Sequence, residues 1–316
     1  MDLTLYLQQS PCVFAGFVFI FSLAIGSFLN VVIYRLPVML ENEWREQAHE
    51  FLEFEEKEAQ QQANNPQQQN AEQSSLDDSA AAGIEEEKES FNLAFPNSRC
   101  PNCEHEIKPW ENIPVISYLF LGGKCSHCKN KISIRYPVIE LATALFSALV
   151  AWHFGFGWQA AAVLPLTWAL VVLTMIDFDH QILPDNITLP FLWLGLLINV
   201  NELFVPLSEA VIGGFAGYMV LWMVYWIFKI VTGKEGMGYG DFKLLALLGA
   251  WMGWQALPLI IILSSFVGAF VGICLIVVLG RDKNIPIPFG PYLSAAGFIA
   301  LLWGDQILDQ YHRYLF

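Results

Sequence analysis

Two stretches carry carboxylates where the surrounding chain is strongly apolar. Gly236-Met237-Gly238-Tyr239-Gly240-Asp241 runs straight into Phe242-Lys243-Leu244-Leu245-Ala246-Leu247-Leu248-Gly249-Ala250-Trp251, delivering Asp241 to the start of an apolar helix. Three glycines in five residues give a backbone that turns freely and tolerates close approach. Ile176-Asp177-Phe178-Asp179-His180-Gln181-Ile182-Leu183-Pro184-Asp185 sets a second acidic cluster at the end of a long apolar run. An ionisable group at the edge of hydrocarbon is expensive, and so a functional candidate. Two carboxylates held close can share one proton. One then acts as base on a water while the other, protonated, polarises a peptide carbonyl. Neither a covalent intermediate nor a metal is required.

Taken singly, either Asp could be an interface or cap residue, since Asp is a preferred N-cap. Two on one face, one of them inside a Gly-x-Gly-x-Gly-Asp loop, favour chemistry, and Asp177 and Asp241 are the candidate pair. Asp179 and Asp185 lie further into their loop, and Asp185, after Pro184, suits a helix cap. His180 reads as a solvated loop residue. The helix ends suggest a bias between the pair. Asp241 begins a helix, where the dipole and free N–H groups favour the anion, and Asp177 ends one, where carbonyls disfavour it. Asp241 is therefore expected to be the base and Asp177 the proton donor.

A different chemistry is spelled by Cys100-Pro101-Asn102-Cys103 and Cys125-Ser126-His127-Cys128, twenty-one residues apart. Each Cys-x-x-Cys turn presents two thiolates, and two such turns complete a tetrahedral Zn²⁺ site. Four thiolates leave no open position, so the zinc would be structural. Two disulfides are the poorer reading in a reducing cytoplasm. His105 and His127 are spare ligand candidates nearby. Cys12 and Cys274 lie in apolar runs and read as small buried hydrophobes.

These groups must be positioned by a chain of 316 residues, 55% hydrophobic and only 15% charged. Soluble domains carry roughly a quarter charged residues. Several apolar runs approach the ~20 residues needed to cross a bilayer, which makes this a polytopic membrane protein. No basic segment or small-residue cleavage site precedes the first run, so that span is expected to be retained. It extends from about Cys12 to Tyr34, and seven more follow at roughly 137–156, 158–176, 187–204, 209–231, 239–257, 258–280 and 287–304. None alternates polar and apolar residues as barrel strands do. The predicted fold is an all-α bundle of about eight transmembrane helices, with a small zinc-binding cytoplasmic module between the first and second.

The chain divides accordingly into a first helix (1–36), an acidic, Gln-rich linker (37–94), a four-cysteine module (95–136) and a seven-helix catalytic core (137–316). Within the linker, Glu43 to Ala59 could form a solvated helix, and Gln60 to Ala82 is predicted to be disordered. The net charge of -14 is mostly local, because residues 41–90 hold fifteen Asp/Glu against three Lys/Arg. Fifteen of the sixteen Lys and Arg fall on one side of an eight-span topology, which places that side in the cytoplasm. Both acidic clusters lie there. Ser27 and Asn30, deep in the first span, read as polar glue between helices. Glu140, about three residues into the second span, suits the helix dipole.

Together these residues resemble the type IV prepilin peptidases, within the GxGD class of intramembrane aspartyl proteases. The resemblance rests on Gly238-Tyr239-Gly240-Asp241, on Gly26-Ser27-Phe28-Leu29-Asn30-Val31 leading to Tyr34-Arg35-Leu36-Pro37, on the four cysteines, on Tyr136-Pro137-Val138-Ile139-Glu140 and on the Asp177 cluster. It covers nearly the whole chain except 41–90, which is longer and more Gln-rich than the family pattern. It implies an inner-membrane enzyme with Asp177 and Asp241 as its catalytic pair. The implied substrates are prepilins and pseudopilins, with a basic leader ending in Gly before a Phe-like residue and an apolar helix. It also implies methylation of the new N-terminal amine from S-adenosylmethionine. No residues are singled out for that cofactor: a glycine cluster without a preceding strand is weak evidence for nucleotide binding. No nucleic-acid partner is expected. The rivals are a related protease with another membrane substrate, or a transporter with intramembrane carboxylates, which would more often hold them near mid-span and show a repeat.

Overall fold

In the computed structural model, residues 7–63, 92, 93, 95, 97–280 and 287–315 are described. The helices are α1 Pro11–Ala63, α2 Ile116–Phe120, α3 Arg135–Phe154, α4 Trp158–His180, α5 Asp185–Asn199, α6 Leu207–Thr232, α7 Tyr239–Met252, α8 Leu257–Leu279 and α9 Gly290–Leu315. Five segments are long and apolar enough to cross a membrane: Pro11–Glu55 of α1, α3, α4, α6 and Trp254–Val278 around α8. The chain is a multi-pass membrane protein. Helices α5 and α7 have 15 and 14 residues. At 1.5 Å per residue that is roughly 21–23 Å, short of a hydrocarbon core ~30 Å thick. Helix α9 has 26 residues, but its second half carries Asp305, Asp309 and Arg313.

The shortness of α7 has a packing reason. Phe242 and every residue from Leu244 to Trp251 are buried, so this helix is enclosed by protein on all sides. A helix apolar all round belongs in a core. Glycines let its neighbours come close: a Cβ on Gly217 of α6 would lie 2.6 Å from the Leu245 carbonyl oxygen. The far end of α7 is held by Asn199, fully buried, which donates to the Ala250 and Trp251 carbonyls at 3.0 and 3.1 Å. The Trp251 indole N–H donates to the Phe191 carbonyl at 2.8 Å. Asp241 thus rides on the most firmly enclosed helix of the molecule.

Helix α1 does not stop near Tyr34, where the first span was expected to end. It is 53 residues long in all, with Pro37 inside it, taking in the expected solvated helix and the start of the linker. The continuation is rich in Glu and Gln, good helix formers. Pairs such as Glu41–Arg45 and Glu53–Lys57, four residues apart, add a few tenths of a kcal/mol each. Gln60 to Ala63, expected to be disordered, are the last residues of this helix, and the rest of that stretch lies outside the described residues, as do Arg281 and Lys283. Asn30 and Ser27 act as glue: Asn30 donates to the Tyr136 carbonyl at 3.2 Å, and Ser27 bonds Glu140. Cys12 is exposed and Cys274 half-buried, contrary to expectation. Apolar runs in a bundle face lipid as well as core, and composition does not say which.

Candidate active site

Asp177 lies in the last turn of α4 and Asp241 in the first turn of α7. Both are buried, at 5% and 6% exposure, and near enough for the charge of one to act on the other. Helix α4 closes at Gln181, whose left-handed backbone (φ 57°) turns the chain and donates to the Asp177 carbonyl. Leu183, just beyond, is the wedge between the parts. A Cβ on Gly240 would lie 2.7 Å from the Leu183 Cβ. A Cβ on Gly290 would lie 3.2 Å from Leu183 Cδ2 and 2.6 Å from Asp177 Oδ2. Glycine at both positions lets α4, α7 and α9 converge.

Each carboxylate takes a backbone N–H. Asp177 Oδ2 accepts from Gly290, the first residue of α9, at 2.9 Å. Asp241, three residues past the N-cap Gly238, is hydrogen-bonded by the Gly238 backbone in the manner of a half capping box. The expected asymmetry therefore loses its basis. Asp177 does end a helix, but it also sits against the N-terminus of another, so both carboxylates meet the positive end of a helix dipole.

The other acidic residues brace this end of the bundle. Asp179 pairs with Arg135 of α3 through both guanidinium nitrogens. Asp185, the first residue of α5 rather than a side-chain cap, is bound by Lys243 of α7 at 2.7 Å to each oxygen. His180 is exposed at the end of α4. The glycine loop is tied down from α6. Lys229 Nζ donates to Glu235 at 2.9 Å and to the Tyr225 hydroxyl at 3.2 Å, and the Tyr225 ring stands 5.3 Å from that of Tyr239.

Glu140 sits in the second turn of α3, because the helix begins earlier, at Arg135. It is buried, and it accepts the Val115 N–H at 2.8 Å. Val115 has φ 56° and ψ -45°, and the Pro114 carbonyl accepts from Ile116 N–H across it. This is the rare, strained γ-turn. Glu140 therefore fastens the cysteine module to the bundle instead of serving a dipole.

In the module the four Sγ atoms lie within 4.8 Å of one another. The two knuckles repeat one design, with Glu104 and Lys129 in left-handed backbone one residue past the second cysteine of each pair. The Cys100 and Cys128 sulfurs are 3.8 Å apart. Tetrahedral sulfurs 2.3 Å from zinc stand roughly 3.8 Å from each other, so the donor set fits the ion. The backbone of Asn130 foremost holds Cys128 down to about 6. Although the His105 backbone favours its thiolate, burial and the other sulfurs push Cys103 up to about 12. Four sulfurs this close do not all ionise without a cation. His105 and His127 stack on each other at 5.2 Å and stand outside the cluster.

Comparison with known proteins gives the family. Residues 20–154 match the Bacterial Peptidase A24 N-terminal domain, and residues 164–273 match the Type IV leader peptidase family. A prepilin leader peptidase/N-methyltransferase of Pseudomonas aeruginosa is 52% identical over 99% of each chain, and one of Stutzerimonas stutzeri is 52% identical over 98% of this chain and 97% of its own. One of Legionella pneumophila is 41% identical over 93% of both. The chain belongs to the type IV leader peptidase family. No solved structure matches it.

Within this leader peptidase both candidate aspartates fall inside the second matched segment, while the module and α1 from residue 20 onward fall in the first. Gly290 lies beyond both, yet it holds Asp177. Sequence reasoning missed Gly290, Leu183, Tyr225 and the partner of Arg135. The available signal was Phe289-Gly290-Pro291, a glycine and proline opening an apolar run, which marks a helix start.

Proposed function

We propose that Asp177 and Asp241 are the catalytic pair of an aspartyl endopeptidase. It removes the short basic leader from type IV prepilins and pseudopilins, and the new N-terminal amine is then methylated from S-adenosylmethionine. The observation that carries this is the burial of two carboxylates together, from helix ends 64 positions apart in sequence (241 minus 177), in a chain of this family. A water between them loses a proton to one carboxylate as its oxygen attacks the scissile carbonyl, and the other carboxylate gives a proton to the carbonyl oxygen. Collapse of the tetrahedral species passes a proton to the leaving nitrogen, leaving the leader's carboxylate and a free amine. Burial excludes competing water and strengthens every electrostatic contact in the site.

The remaining organisation follows from the same reading. Eight spans run through the bundle of an inner-membrane protein, with α5 and α7 as its short members and α7 enclosed by the rest. The segments are 1–36, 37–94, 95–136 and 137–316, and the module and both aspartates face the cytoplasm. Zinc held by Cys100, Cys103, Cys125 and Cys128 would supply a structural cross-link and no chemistry. The glycine loop does not fit a nucleotide cradle. Its open space is used internally, since a Cβ on Gly236 would lie 2.8 Å from the Phe228 ring and one on Gly240 would meet Leu183. Incubating the purified chain with a prepilin and reading the product N-terminus by mass spectrometry tests both activities. Release of the leader with a methylated new terminus is expected, and intact prepilin would refute the assignment.

A further inference from the structure

Helices α6 and α8 both flank α7 but scarcely touch each other, and α8 is supported mainly by α9. Between them lies a partly open cavity of about 370 Å³. Val220, Val224, Ile261, Ser265, Ala269 and Tyr292 line it, leaving one side-chain hydroxyl besides that of Tyr292. One end is formed by Met237 and Phe289. Met237 belongs to the Gly236–Asp241 stretch, and Phe289 precedes Gly290, whose N–H holds Asp177. The groove therefore ends against the two segments that carry and hold the paired carboxylates.

We propose that this groove seats the first apolar side chains of the substrate's own membrane helix, just beyond the bond that is cut. The proposal rests on the endopeptidase reading. Its lining accepts only an apolar ligand, and its volume suits roughly two groups of benzene size. Small residues on the open face of a membrane helix let a second helix approach closely. Ser265, Gly268 and Ala269 provide that face, with the Tyr292 ring resting where a Cβ on Gly268 would lie 3.1 Å away. A cavity lined by two membrane-crossing helices is within reach of a helix already in the bilayer. Binding there uses contacts remote from the reacting atoms to orient the bond at the carboxylates. A lipid acyl chain is the other occupant the chemistry allows, and the test separates the two.

The purified full chain is assayed on a complete prepilin and on a short peptide that ends before the apolar helix. Ala269→Trp, at an exposed position, fills the groove. It is expected to lower the preference for the complete prepilin over the short peptide at least tenfold, mainly through KM. Val277→Trp, on the same helix but outside the groove and 75% exposed, should leave that preference alone. In an Asp241→Asn background, Ala269→Cys should form a disulfide with cysteines in the first turns of the prepilin helix, at intervals of three and four residues. A wild-type chain that cleaves neither substrate overturns the endopeptidase reading. A chain that cleaves both, with a preference unmoved by Ala269→Trp and no cross-link, leaves the groove to lipid and overturns the proposal alone.

Discussion

The sulfur cluster and the carboxylate pair solve the same problem in opposite ways. Each gathers groups that repel one another when ionised. The cysteines do it within about thirty residues of turns and isolated bridges, with little apolar core, and their charge is to be met by a metal. The carboxylates are gathered from separate helices by a large core around α7, and their charge is met by backbone N–H groups. The first arrangement is cheap in sequence and depends on an ion. The second needs most of the membrane bundle, and glycine at the points of contact.

That contrast can be broken most sharply at the carboxylates. Asp177→Asn and Asp241→Asn should each abolish cleavage, a loss of at least about 10³-fold, because an amide neither shares the proton nor takes one from water. Methylation of a substrate supplied already cleaved should survive. Normal cleavage by either variant would end the assignment. Next in size is Gly290→Ala. Its Cβ would lie 2.6 Å from Asp177 Oδ2, so one of them must move. A displacement near 1 Å can cost about 100-fold in rate, and kinetics on a folded variant would read it. An unchanged rate would detach α9 from the site.

Serine at any of the four cysteines should reduce bound zinc from about one per chain towards none and loosen the 95–136 segment, since metal binding and folding of small modules are coupled. Cleavage should fall less than in the aspartate variants. Elemental analysis beside protease mapping checks this, and full activity in a metal-free chain with free thiols would contradict it. The smallest effect is expected at the loop tether. Glu235→Gln should lower cleavage about twofold at neutral pH, the scale of an exposed ion pair. Lys229 holds the Glu235 carboxyl below its ordinary value of 4.5. A depressed carboxylate stabilises the fold above its ordinary value and loses that contribution as pH falls through the lowered one. The gap between wild type and variant should therefore close in acid and be full at neutrality.

What could be read in the sequence follows the same division. The cysteine spacing is local, and each Cys-x-x-Cys turn completes its own half of the site. Gly236 to Asp241 is likewise a local pattern. The bond from Gly290 to Asp177 joins residues 113 apart and leaves no periodic trace. Hydropathy marked the apolar segments but not their lengths, because α7 is wrapped by other helices and need not match lipid. The first span was expected to end near Tyr34, yet the Glu- and Gln-rich residues after Pro37 continue the helix. The dipole argument for Asp177 used the helix it ends and had no access to the one that faces it.

The strained turn at Val115 bears on the order of assembly. A β-branched residue at φ 56° costs of order 1–3 kcal/mol and persists only where its surroundings fix it. Glu140 fixes it, and Glu140 is itself buried where α1 crosses α3, since a Cβ on Gly26 would lie 2.7 Å from the Glu140 Cα. The module's final shape is thus conditional on a helix–helix contact inside the membrane. We expect an excised 95–136 peptide to bind zinc and still leave the Pro114–Ile116 turn relaxed, visible as averaged NMR couplings at Val115. In the whole chain, we expect the contact of α1 with α3 to act as a checkpoint that the cysteine module must pass before its last turn closes.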